Sequence, residues 1–221
     1  MTAALLTLAD SRLPAGGHTH SGGVEQAIAA GLVLDPRSLE VFLRRRLTTS
    51  GRTAAGLAAA ACRAAGRGGD RPAVLAALDA EADARTPAPA LRQASRQQGR
   101  GLVRVGRRAW PSAVWDDLPA HPHHPVALGV AAAVPGLGPT EAAQAAAYLS
   151  ITGPATAAQR LLAMDPITVA TVTARLGSEV DDVARAAADP APADALPADT
   201  DPLLDLLAEL HADRGDRYFA S

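Results

Sequence analysis

The densest run of side chains able to do chemistry lies near the amino terminus, in Asp10-Ser11-Arg12-Leu13-Pro14-Ala15-Gly16-Gly17-His18-Thr19-His20-Ser21-Gly22-Gly23-Val24-Glu25. Its glycines invite a phosphate loop. No lysine follows them, however, and the spacing fits neither a Walker A loop nor a GxGxxG turn. His18 and His20 alternate, so in an extended segment both imidazoles point the same way and could reach one metal ion. A closed metal site needs three or four protein ligands. Glu25 or Asp10 would have to converge on the pair, and the plainer reading is two polar loop side chains packed against a neighbour. Ser21 beside either histidine suggests a hydrolase, but a serine nucleophile needs an oriented base and an oxyanion hole, and the G-x-S-x-G elbow is missing. Ser21 reads better as the N-cap of a helix beginning near Gly22, with Glu25 placed where a carboxylate suits the helix dipole.

Two further constellations stand out. His121-Pro122-His123-His124 puts three imidazoles in four residues, enough for weak Ni²⁺ or Zn²⁺ binding. Pro122 and Pro125 hold that stretch extended just before a helix, and exposed loop polarity is the plainer reading. Arg92, Arg96, Arg100, Arg104 and Arg107 or Arg108 recur at three- to four-residue spacing, which draws a basic stripe down one helix face. That stripe is either a solvated face or a docking surface for an acidic partner.

The elements that must position these groups are helices. The apolar fraction is 48%, mostly alanine and leucine, aromatics are 3%, and every basic residue is arginine. Alanine, leucine and arginine are strong helix formers, and windows rich in β-branched or aromatic residues are scarce. The expected fold class is all-α: a single helical bundle of about eight to ten helices spanning residues 1–221. A net charge of −2 speaks against nucleic acid as a partner. Cys62, the sole cysteine, reads as a small core residue. No apolar run is long enough for a membrane span and no secretory pattern opens the chain, so a cytoplasmic location is expected.

Asp35-Pro36 is an N-cap followed by a first-turn proline, and residues 52–65 form an alanine-rich helix that neighbours can approach closely. Further helices are expected at 72–84, 88–109, 125–134, 139–151, 154–163 and 166–188, with the clearest loop at 110–125. Residues 188–202 have the composition of a flexible linker. A last amphipathic helix carries Leu203, Leu206, Leu207 and Leu210 before a tail, so that 203–221 forms a partner-binding end.

Three stretches of the first 35 residues resemble the start of the UreF-type urease accessory proteins. They are Leu8-Ala9-Asp10-Ser11-Arg12-Leu13-Pro14-Ala15-Gly16-Gly17, His20-Ser21-Gly22-Gly23-Val24-Glu25 and Ala29-Ala30-Gly31-Leu32-Val33-Leu34-Asp35. Val24 stands where the family has leucine. Arg96 to Val105 is similar to the family's central arginine-rich helix, His124 to Ala133 to its entry into the second half, and Arg160-Leu161 to a basic residue followed by leucine. The ending Arg217-Tyr218-Phe219-Ala220-Ser221, after His211, is similar to the family's tail. Two places depart from the pattern: Met164-Asp165-Pro166 replaces a Pro-x-Gly-Gln, and Arg85-Thr86-Pro87-Ala88 replaces an acidic stretch.

The resemblance implies a non-enzymatic, dimeric, all-helical nickel-delivery chaperone. It would bridge a UreD/UreH-type protein and the UreG GTPase and help to load Ni²⁺ into apo-urease, holding nickel transiently at most. It also implies roles for particular residues. Asp10, Ser11, Pro14, Gly16, Gly17, His20, Ser21, Gly23, Glu25, Arg96, Arg100, Arg217, Tyr218, Phe219 and Ser221 would contact partners. Arg160 would act as a gate, and the tail would order on binding the UreD/UreH-type partner. His18, His20, His121, His123 and His124 remain the metal candidates.

Overall fold

The computed structural model describes residues 3–10, 13–15 and 17–220, with His18 represented by its backbone. Ser11, Gly16, Ser221 and the His18 side chain therefore lie outside the described residues. The fold is all-α, and no strand occurs among the described residues. The helices are α1 (Ala3–Ala9), α2 (Val24–Ala29), α3 (Pro36–Arg46), α4 (Arg52–Ala65), α5 (Arg71–Ala84), α6 (Pro89–Ala109), α7 (His124–Ala133), α8 (Pro139–Leu161), α9 (Pro166–Arg175), α10 (Gly177–Ala187) and α11 (Pro202–Ala212).

Prolines set the starts. Helices α3, α5, α6, α7, α8, α9 and α11 each carry one in their first two positions, where the missing N–H costs nothing and φ is already helical. Asp35 caps α3 as expected, accepting from Ser38 N at 2.7 Å while Ser38 Oγ accepts from Asp35 N at 3.0 Å. At the centre, α4 packs against α7 and α8 through alanines such as Ala55, Ala58, Ala131 and Ala143, all fully buried. Small side chains let these helices approach closely, so the core is dense in backbone as well as in side-chain atoms. Cys62 belongs to this core, and burial pushes its thiol up to about 11.

The second half differs from expectation at two joints. Residues 139–161 form one helix with Pro154 inside it, and the predicted 166–188 helix is two, meeting at Leu176 and Gly177. An internal proline leaves the carbonyl four residues earlier without its helical donor. Here that carbonyl is Ser150 O, and Arg46 Nε donates to it at 3.2 Å. Arg46 Nη1 also donates to Gly22 O at 2.7 Å. One guanidinium thus ties the glycine motif to the proline break.

Arg46 stands where α3 runs through a π turn (Leu47–Gly51) into α4. The two helices form one continuous rod, and the hydroxyls of Thr48, Thr49 and Ser50 bond back to carbonyls of Arg44, Arg45 and Arg46 along it. Gly22 has φ 59°, and a Cβ there would stand 2.8 Å from Pro154 Cγ, so only glycine fits. Burial pulls the Arg46 guanidinium down to about 10, which leaves it charged at neutral pH.

Residues 188–202, linker-like in composition, are fastened to the bundle. Arg85 donates to the carbonyls of Ala193 at 3.0 Å and Pro197 at 3.1 Å. Thr53 donates to Asp199 O at 3.0 Å, and Arg45 Nη2 pairs with Asp201 Oδ1 at 2.8 Å. These bonds, whose donors lie far away in sequence, set a packed path beside the flexible linker that the composition suggests. Arg85, at one of the two departures from the family pattern, is the side chain that does most of the fastening.

Replacing Arg46 by methionine keeps the bulk and strands the Gly22 and Ser150 carbonyls, so R46M is expected to lose about 3 kcal/mol, since each unsatisfied buried acceptor costs roughly 1–3 kcal/mol. Urea unfolding should show a lower midpoint with an unchanged slope.

Candidate functional site: a chamber closed by the two chain ends

The amino-terminal motif and the carboxy-terminal tail meet at Glu25. Its carboxylate accepts from Tyr218 N at 2.7 Å, Phe219 N at 3.0 Å and His211 Nε2 at 2.8 Å. Because an ionised carboxylate only accepts, Nε2 carries the ring proton, and His211 Nδ1 is buried without a partner among the described residues. Nearby, Ala220 N donates to Thr19 O at 2.7 Å. Burial alone would raise the Glu25 carboxyl, but the Tyr218 amide, the His211 ring and the Phe219 amide outweigh it and hold it below its ordinary value.

This junction corrects several expectations. His20, Ser21, Gly23 and Glu25 are buried, so they build the interior and leave Pro14 and Gly17 on the surface. Ser21 does not cap α2. The chain enters that helix through left-handed Gly22 and Gly23, which makes Gly23 the N-cap and leaves Ser21 Oγ buried without a partner among the described residues. The tail bonds to its own chain here, while the resemblance implies ordering on a partner. In α11 the inward stripe is Leu204, Leu207, Ala208 and His211, while Leu206 and Leu210 face outward.

Behind the junction lies a chamber of about 240 Å³ whose wall includes Asp10, Gly17, His20, His124, Arg160 and Phe219. Six residues singled out by the sequence are thus brought to one place. The Ala15 backbone presses on α6 at Gly101, where a Cβ would lie 2.2 Å from Ala15 O, and this seats the motif against the arginine-rich helix. A second cavity of about 230 Å³ adjoins it. Gly22, Arg46, Gln98, His124 and Leu149 line both and form the partition. Burial, with a contribution from His20, drives the His124 imidazole down to about 4, so this ring is neutral at physiological pH.

The second histidine cluster divides. His121 is exposed, but His123 is only 1% exposed, which corrects its reading as loop polarity. His123 Nε2 bonds Asp83 Oδ1 at 2.8 Å, Nδ1 meets Ser95 Oγ at 3.0 Å, and its backbone N donates to Asp79 Oδ1 at 2.7 Å. Arg96 pairs with both Asp79 and Asp83. Arg96 therefore belongs to an internal network, whereas Arg100 is exposed on the same helix. The Ser95–His123–Asp83 connectivity is that of a catalytic triad, yet Ser95 Oγ also accepts from His124 N at 3.1 Å and Asp83 answers to Arg96. The network clamps α5, α6 and the start of α7 together. Among the described residues, no three or more histidine, cysteine, aspartate or glutamate side chains are grouped to hold a metal ion.

Sequence reasoning passed over Arg46, Gln98, Ser95 and Asp83. The available signal was weak: an arginine within an Arg-Arg-Arg run and polar residues at inward positions of α5 and α6.

The class defined by this geometry is an all-helical protein whose two ends close a chamber and whose polar clusters fasten helices to one another. A model of the UreF family matches residues 33–177. Relatives match almost end to end. The chain is 53% identical over 217 residues to a protein of Mycobacterium sp. strain JLS, covering 98% of this chain and 97% of the relative. It is 53% identical over 220 residues to one of Mycolicibacterium vanbaalenii (99% and 98% covered) and 49% identical over 222 residues to one of Mycobacterium tuberculosis (99% and 98% covered). All three relatives bear the name urease accessory protein UreF. The chain belongs to the UreF family. The family-model match begins after the glycine motif and ends before the tail; the full-length relatives span both.

Removing the His123 ring in H123A breaks the clamp and leaves Asp83 short of a donor, at an expected cost of about 3 kcal/mol, the upper range for an ordinary point change. Chemical denaturation measures it. The depressed Glu25 carboxyl adds stability that is present above the ordinary 4.5 and lost as pH falls through the lower folded value. Urea midpoints followed downward from neutral pH should therefore drop below 4.5, and E25Q should flatten that part of the curve.

Proposed function

We propose that this chain is an accessory protein of urease maturation. It bridges a UreD/UreH-type accessory protein and the UreG GTPase, acts as a homodimer in the cytoplasm, and assists nickel insertion into apo-urease without catalysing a reaction itself. The relatives' shared name supports the pathway. The observation that carries the bridging role is the outward display of apolar groups on the carboxy-terminal end. Leu206 is 56% exposed and Leu210 47%, one turn apart on α11, and Tyr218 is 84% exposed. Large apolar side chains held out from a fixed frame suit a protein contact. Glu25 fixes the frame from behind, so a UreD/UreH-type partner would meet a preformed surface. Exposed Arg100 and Arg217 favour an acidic counterpart, and exposed Val41 and Ile167, on helices that pack together, suit a second copy.

Direct nickel binding is the second reading, and His20 and His124 on one chamber wall favour it. Calorimetric Ni²⁺ titration of the wild type, H20A and H124A separates the two readings. Submicromolar, histidine-dependent binding would support nickel carriage by this chain.

Co-purification with the UreD/UreH-type protein and the GTPase tests the bridge. The double variant Leu206→Asp, Leu210→Asp should retain its helical circular dichroism and lose at least tenfold in affinity for the UreD/UreH-type partner, on the order of the 1.4 kcal/mol that a tenfold change represents. Failure of the wild type to bind either partner in any nucleotide state would overturn the reading.

A further inference from the structure

Arg46 differs from three other arginines that tie the bundle together, each of which has a carboxylate partner. Arg45 has Asp201, Arg85 has Glu81, and Arg96 has Asp79 and Asp83. Arg46 has no carboxylate partner among the described residues; Nε and Nη1 are held by the carbonyls of Ser150 and Gly22. Backbone carbonyls orient a guanidinium but leave its full charge uncompensated, and a desolvated charge is stable only when it is paired. Nη2 makes no hydrogen bond to an acceptor among the described residues, and Arg46 lines both cavities.

Two other polar heads without a hydrogen-bonding partner among the described residues share the partition with it. They are the Gln98 amide and the His124 ring. At the chamber's outer wall stands Arg160, exposed and without an ion pair among the described residues. Asp10, the one acidic residue on that wall among the described residues, is engaged in an interaction of its own. Among the described residues that wall thus carries two guanidiniums and one carboxylate, and the chamber's volume of about 240 Å³ exceeds the space of a single water several-fold. The excess of positive charge favours an anion there over a divalent metal ion.

We propose that the chamber is a binding site for a small oxyanion, gripped by Arg46 with the Gln98 amide and the His124 ring, and drawn in past Arg160. The free edge of a guanidinium suits two oxygens of one carboxylate or phosphate group. A neutral imidazole and an amide each offer an N–H to a third contact, and neither adds a competing negative charge. The proposal does not depend on the urease reading, because it concerns the charge balance of this fold alone.

Thermal unfolding and calorimetry of the full chain test it, with sodium formate, sodium acetate or inorganic phosphate exchanged against sodium chloride at constant ionic strength. The wild type should show a saturable rise in Tm and a one-to-one binding heat with at least one of the oxyanions, since a ligand that binds only the folded state stabilises it. The order of the three salts tells a carboxylate site from a phosphate site. Gln98→Glu places a carboxylate beside Arg46 in the ligand's stead. It should raise Tm in chloride and weaken oxyanion binding at least tenfold. Gln98→Leu, which keeps the bulk, should weaken binding several-fold without that rise. No saturable effect in the wild type beyond chloride, or undiminished binding in Gln98→Glu, would overturn the proposal.

Discussion

The carboxylate of Glu25 takes N–H donors from Tyr218, Phe219 and His211, and so joins residues 186 or more positions apart. A buried carboxylate without such donors would be costly, whereas hydrogen bonds to a charged group contribute about 1.5–3 kcal/mol each. Three converging donors reverse the sign of burial. They fix the tail over the glycine motif and give α11 one defined orientation. The motif's inward side chains, the chamber behind it and the outward display of Leu206 and Leu210 all follow from where that carboxylate sits. His211 Nδ1, buried without a partner among the described residues, is the local cost of the arrangement.

Arg46 performs the complementary task at the other side of the motif. Proline in α8 would ordinarily kink or end the helix, yet the carbonyl it frees becomes an acceptor for Arg46, which also reaches Gly22. Three consecutive arginines thereby hold four different parts of the chain: Arg44 reaches Glu179 of α10, Arg45 reaches Asp201 before α11, and Arg46 reaches the motif and α8. A bundle rich in alanine has little side-chain volume with which to specify register. Long, rigidly forked side chains supply that specificity across the gaps between helices.

Much of this architecture was legible in the sequence, because its signals are local. Proline at helix starts, the Asp35 cap, the alanine-rich α4 and the core placement of Cys62 depend on neighbours within a turn or two. What escaped depends on distant partners. Residues 188–202 look loose until Arg85, Thr53 and Arg45 are seen to bond to them. His123 looks like loop polarity until Asp83 and Ser95 arrive from α5 and α6. Ser21 looks like a cap until two left-handed glycines shift the helix start beyond it. The motif from Asp10 to Glu25 was legible as a break between helices, but its division into a buried half and an exposed half was set by a tail nearly two hundred residues later.

Amide hydrogen exchange at Tyr218 and Phe219 tests the anchoring role of Glu25 most directly. In the wild type at neutral pH these two amides should be protected well beyond those of exposed Asp216 and Arg217, and in E25Q their protection should fall sharply while that of α4 and α7 is retained. Equal protection in E25Q and the wild type would contradict the account, because the tail would then be held by something other than that carboxylate.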